Sequence, residues 1–194
     1  MTTSVALATF VDRHTLRFDV TYPHPVDEVW LAITDPAQLA LWFMPVDIEL
    51  VVGGRFVLTR SDSTVPHGVG VIDELITRQL LVVRFVDGEF HFGPGCTVRF
   101  ALSPTADGDG CRVRFVHRLA PDVTYDHVPG AQFAGPGTFP PGTLAGWHGF
   151  TDGLARLLDG SVPPLYTDDD ERVMDQRTET YRSMVEQLTD GTPA

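Results

Sequence analysis

The sequence predicts an α+β fold, a curved antiparallel sheet of about seven strands wrapped around a long C-terminal helix, with two short helices after the first strand and an extra C-terminal helix. Three observations predict it. Residues 96–102 and 111–117 alternate apolar and polar side chains, the pattern of an antiparallel sheet with one dry face. Gly53-Gly54 divides two further alternating runs, and such a pair supplies the positive φ angles of a tight hairpin. Over residues 143–158 the period changes, and Trp147, Phe150, Leu154, Leu157 and Leu158 fall on one helical stripe.

The elements follow in order. Residues 16–22 alternate as a strand, which Pro23 and Pro25 end. From Pro25, the residues Val26, Val29, Trp30 and Ile33 keep helical spacing, and Asp27 and Glu28 complement the positive end of the helix dipole. Asp35 can cap a second short helix and Pro36 fits its first position; Leu39, Leu41, Trp42 and Phe43 continue it until Pro45. Residues 46–52 and 55–60 make a hairpin about Gly53-Gly54, and residues 68–75 and 79–86 make another. In the last two strands Cys96, Val98, Phe100 and Leu102 share one face, as do Cys111, Val113, Phe115 and His117. Residues 119–142 are aperiodic and rich in proline and glycine, a long loop expected to act as a mobile lid. The helix of residues 143–158 keeps Gly146, Gly149 and Gly153 although each costs about 1 kcal/mol against alanine, so it needs close approach or space beside it. Gly160 and Pro163-Pro164 stop it, and Asp168 to Glu171 open an amphipathic helix reaching about Leu188. The expected division is a ligand-binding domain over residues 12–160 and a helical extension over 161–194.

A chain of 194 residues, 43% apolar, can bury a core of its own and favours one domain with an appendage. A net charge of −12 and a pI near 4.8 argue against nucleic acid or an anionic membrane as partner. The first ten residues lack a basic n-region and no segment approaches about 18 consecutive apolar residues, so a cytoplasmic protein without membrane insertion is expected. All 14 basic residues are arginine, and asparagine is absent too. Without lysine, Schiff-base chemistry, pyridoxal phosphate anchoring and a P-loop are excluded. The same bias fits the codons of a high-GC bacterial genome. A hairpin pairing Cys96 with the region of His117 and Cys111 with Leu102 offsets the two thiols by about five residues, roughly 16 Å, against a bridging limit of about 7 Å. Two buried free thiols are expected.

Within this frame the chain resembles the START-like (SRPBCC, Bet v-type) superfamily of helix-grip proteins, and in it the group similar to the C-terminal domain of the activator of heat-shock-protein ATPase. The resemblance rests on Pro25-Val-Asp-Glu-Val-Trp30, Thr34-Asp35-Pro36, Trp42-Phe43, Gly53-Gly54-Arg55-Phe56 and Gly146-Trp147-His148 in that order. It implies a cavity between the sheet and the long helix and a tendency to bind apolar small molecules. It does not imply one reaction, since the superfamily contains carriers, binders, cyclases and resistance proteins. The eukaryotic activators carry a separate N-terminal domain, whereas about fifteen residues precede the first strand expected here.

Trp42, Phe43, Phe56, Phe85, Phe100, Phe115, Trp147, Phe150 and Leu154 fall on inward faces; singly each reads as core, and together they read as the lining of an apolar pocket. His117 and His148 are expected as its titratable donors, although a satisfied structural histidine is the plainer role for each. No serine or cysteine sits in a nucleophile elbow, so no catalytic residue is assigned; Asp126-His127 in the long loop is a chance adjacency rather than an acid/base pair. No metal and no cofactor is expected, because the histidines are scattered without ligand spacing. Arg99, Arg112, Arg114 and Arg118 mark a solvated outer face of cross-strand ion pairs. The expected partner is a small hydrophobic ligand, aromatic or polycyclic, held by a carrier, sequestration or self-resistance protein. A cyclase, aromatase or hydrolase acting on such a ligand is one alternative and a co-chaperone-like module another, and the sequence leaves open whether the chain forms a homodimer.

Overall fold

The computed structural model describes residues 5–59, 65–88, 92–124, 137–161 and 168–189. Its elements are β1 (Thr9–Asp12), β2 (Thr15–Tyr22), α1 (Val26–Thr34), α2 (Pro36–Trp42), β3 (Val46–Ile48), β4 (Arg55–Thr59), β5 (Pro66–Ile76), β6 (Leu80–Gly88), β7 (Thr97–Pro104), β8 (Cys111–Arg118), α3 (Pro141–Leu158) and α4 (Asp168–Thr189). The strands form one eight-stranded antiparallel sheet in the order β1-β2-β8-β7-β6-β5-β4-β3. This is the α+β helix-grip arrangement, with α3 lying on the apolar face of the sheet.

The register explains which faces meet. Val98 opposes His117, Phe100 opposes Phe115 and Leu102 opposes Val113, so the two alternating patterns place one continuous dry face under α3. The wet face carries charge pairs: Asp19 accepts from Arg114 at 2.8 Å, and Arg84 grips Asp73 at 2.8 and 3.0 Å. Cys111 opposes Pro104, which shifts the expected register by two residues and moves the thiols further apart along the ladder. Both cysteines are free and buried.

The helices before β3 form a locked corner. Asp35 ends α1 and caps α2, its carboxylate accepting from the Gln38 N–H at 3.0 Å, while the Trp42 indole N–H donates to the Ala32 carbonyl at 2.8 Å. Gly153 of α3 sits over this corner, where a Cβ would lie 3.1 Å from the Trp42 carbonyl oxygen. Gly149 faces Met174 of α4 and Gly146 has open space beside it, so only Gly149 and Gly153 sit against a neighbouring element among the described residues.

Three expectations need correction. β1 adds an eighth strand; its four residues are nearly all exposed and show no alternation, so no pattern announced it. Residues 49–52 are not strand: Glu49, Val51 and Gly54 close a turn with 2.7 and 2.9 Å hydrogen bonds, Gly53 takes φ 82°, and Val52 is 64% exposed. An apolar run imitated a strand there. α3 starts at Pro141 rather than residue 143, because proline supports a first turn that carries no apolar signal. Residues 125–136, half of the expected lid and the home of Asp126-His127, lie outside the described residues.

Candidate functional site

Between the sheet and α3 lies a dense aromatic shell. Trp147 on α3 is its centre, with ring centroids 4.5 Å from Phe115, 5.6 Å from Phe43, 5.2 Å from His117 and 5.7 Å from Phe150. Phe43, delivered by the end of α2, meets Phe150 edge-on at 4.8 Å. From the sheet, Phe85 meets Phe56 at 6.5 Å and Phe92 at 5.0 Å. Strand β5 makes room for the last pair: a Cβ on Gly68 would stand 2.8 Å from that of Phe92, and one on Gly70 2.6 Å from Val83 Cγ1. Phe92, only 1% exposed, was not expected at the site; its flanks, Gly88-Glu-Phe-His and Gly93-Pro-Gly, carry no periodicity.

Among the described residues, two cavities lie in this shell. One of about 20 Å³ is walled by Ile33, Leu39, Phe43, Phe56, Leu58, Leu81, Val83, Phe85, Phe92 and Val98, together with Trp42, Phe100 and Trp147. The other, about 10 Å³, shares Trp42, Phe100 and Trp147 and is completed by Val20, Tyr22, Val113, Phe115, Phe150, Thr151 and Leu154. Each is the size of about one water molecule, and apolar walls of this kind keep such space dry. The polar atoms of the two walls are few. Trp42 donates to the Ala32 carbonyl, the Tyr22 hydroxyl to the Thr151 carbonyl at 3.2 Å, and the Thr151 hydroxyl to the His148 carbonyl at 2.8 Å. Burial, with Asp152 and Cys111 adding to it, pushes the Tyr22 phenol far up, so the hydroxyl stays neutral. Trp147 Nε1 is buried and meets no acceptor among the described residues.

The aromatic residues and Leu154 named from the sequence therefore border one cavity or both, whereas the two histidines border neither. His117, 0% exposed, stacks behind the wall, its ring 5.1 Å from Phe139 and 6.0 Å from Phe92. His148 points to the other side of α3. Its Nε2 lies 3.1 Å from the Val5 carbonyl, which only accepts, so Nε2 carries the hydrogen; Nδ1 then accepts from the Tyr181 hydroxyl at 3.1 Å, which in turn accepts from the Ala8 N–H at 3.0 Å. Burial, followed by the Arg177 charge, holds His148 below its ordinary pKa and keeps it neutral. It is an anchor for the N-terminal segment and α4. Its neighbour in sequence, Trp147, faces the cavities because successive helical residues point about 100° apart.

The family model for Activator of Hsp90 ATPase homolog 1-like protein matches residues 23–159. The chain belongs to this family. The match on the Activator of Hsp90 ATPase homolog 1-like chain runs from the end of β2 through α3 and takes in every cavity-wall residue except Val20 and Tyr22. No curated protein matches the sequence. Among solved structures, CalU16 from Micromonospora echinospora is similar at 23% identity and TM-score 0.64, over 95% of this chain and 99% of that one. Protein MLL2253 from Mesorhizobium loti is similar at 22% identity and TM-score 0.57, over 75% and 97%. DynU16, a protein in the dynemicin biosynthetic locus, is 27% identical with TM-score 0.55; the match covers 77% of this chain and 49% of that one. CalU16 and MLL2253 support the fold alone.

Proposed function

We propose that this protein binds a small hydrophobic molecule, aromatic or polycyclic, between its sheet and α3, as a carrier or sequestering protein. The observation that carries this reading is the pair of abutting apolar cavities with Trp42, Phe100 and Trp147 as their common wall. Each is too small for such a guest as it stands, so uptake requires the common wall to shift and join the two spaces. The scale permits it: a guest that removes about 200 Å² of apolar surface from water gains roughly 5 kcal/mol, against about 0.5–1.5 kcal/mol for each aromatic pair disturbed. The likeness to DynU16 supports a setting beside secondary metabolism, where sequestration amounts to self-resistance. His148, with both ring nitrogens engaged away from the cavities, is withdrawn as an acid or base for an enzymatic rival.

Native mass spectrometry of the protein purified from its own host, with extraction of whatever is bound, tests the proposal. One equivalent of an unmodified apolar compound is expected. An empty protein that also takes up nothing from a hydrophobic panel contradicts it, and recovery of a chemically altered compound replaces the carrier with an enzyme. The family description supports a second reading, a module that acts on a chaperone ATPase. Stimulated turnover of the host chaperone is its signature.

A further inference from the structure

We infer that the guest is uncharged and carries a hydrogen-bond acceptor oxygen, which takes the indole N–H of Trp147. This rests on the binding function proposed above and narrows it to a class of ligand. Trp147 is 3% exposed, borders both cavities, and its Nε1 is buried without an acceptor among the described residues. Every other side-chain polar atom of the two walls, on Trp42, Tyr22 and Thr151, is committed to a backbone carbonyl. Among the described residues the cavity walls therefore offer one uncommitted donor, Trp147 Nε1.

The consequence for recognition is directional. A carbonyl or ether oxygen matches the free donor and restores a hydrogen bond that the dry site otherwise lacks. A ligand hydroxyl can accept from Trp147 but must also place its own hydrogen, either on the Tyr22 or Thr151 oxygen or unpaired against apolar wall. A carboxylate could accept as well, yet among the described residues no arginine or histidine borders either cavity to offset its charge. Neutral aromatic ketones, or ring compounds with an equivalent acceptor, are the class that loses nothing on entry.

Four probes of one shape separate these terms: fluorene, 9-fluorenone, 9-hydroxyfluorene and fluorene-9-carboxylate, titrated into the full chain while the indole N–H resonances of its 3 tryptophans are followed. Fluorenone is expected to bind about tenfold more tightly than fluorene, with the Trp147 resonance moving downfield for the ketone and not for the hydrocarbon. Hydroxyfluorene should fall below fluorenone, and the carboxylate should not bind. In Trp147→Phe the ketone's advantage should vanish while fluorene still binds; should that variant fail to fold, the wild-type resonance shift alone decides. Equal affinities for fluorene and fluorenone, with no selective Trp147 shift, overturn the acceptor inference and leave the apolar site standing. Absence of binding by all four overturns the site itself.

Discussion

His148 shows what one buried side chain does in this fold. Its chain of hydrogen bonds joins Val5, Ala8, α3 and Tyr181 of α4, and every member is satisfied only when the imidazole is neutral. Because its pKa is held below the ordinary value of about 6.5, the unfolded chain takes up the proton first; stability is unaffected by this group above about pH 6.5 and falls as the pH drops through it. Denaturant unfolding at a series of pH values should show that decline below about pH 6.5, and His148→Gln, which can still donate and accept, should flatten it. Tyr181→Phe keeps the ring and removes the hydroxyl, leaving the Ala8 N–H and His148 Nδ1 without partners. A loss of about 1–3 kcal/mol in unfolding free energy is expected. The thiols form a third case, since burial pushes Cys111 up to about 11 and raises Cys96 as well. Neither should be alkylated in the native protein at pH 8, and both should react once it is unfolded.

At the scale of elements, patterning succeeded where a face is buried and failed where it is not. β8 buries Cys111, Val113, Phe115 and His117 in strict alternation, so its period two was visible. α1 and α2 were visible through Pro25, Asp35 and Pro36, whose backbone preferences are local. β1 is an exposed edge and residues 49–52 are an exposed apolar turn, two cases in which hydropathy and burial part company. β5 makes a different point: its glycines look like weak strand residues, yet they let Val83, Phe85 and Phe92 lie against the sheet. Gly68→Ala drives a methyl group into Phe92, and thermal unfolding should show a loss of about 1–3 kcal/mol.

Over the whole molecule, the inward faces of the aromatic residues were legible in the sequence, but the depth of the space among them was not. Trp42, Phe43, Phe85, Phe115 and Trp147 could be placed on inward faces by period alone, whereas the size of the space among them depends on how distant rings interlock, which no periodicity encodes. The two histidines border neither cavity for a related reason. His148 sits next to Trp147 in sequence but on another helical face, and His117 lies one layer behind the wall. The central claim is that the joined cavities admit an apolar ring compound. A fluorene titration read through the tryptophan indole resonances tests it most directly, because Trp42 and Trp147 border both cavities and Trp30 borders neither. Saturation at one equivalent with Trp42 and Trp147 moving and Trp30 unchanged is the predicted result, and saturable binding that leaves Trp42 and Trp147 untouched, or no saturation at all, would contradict it.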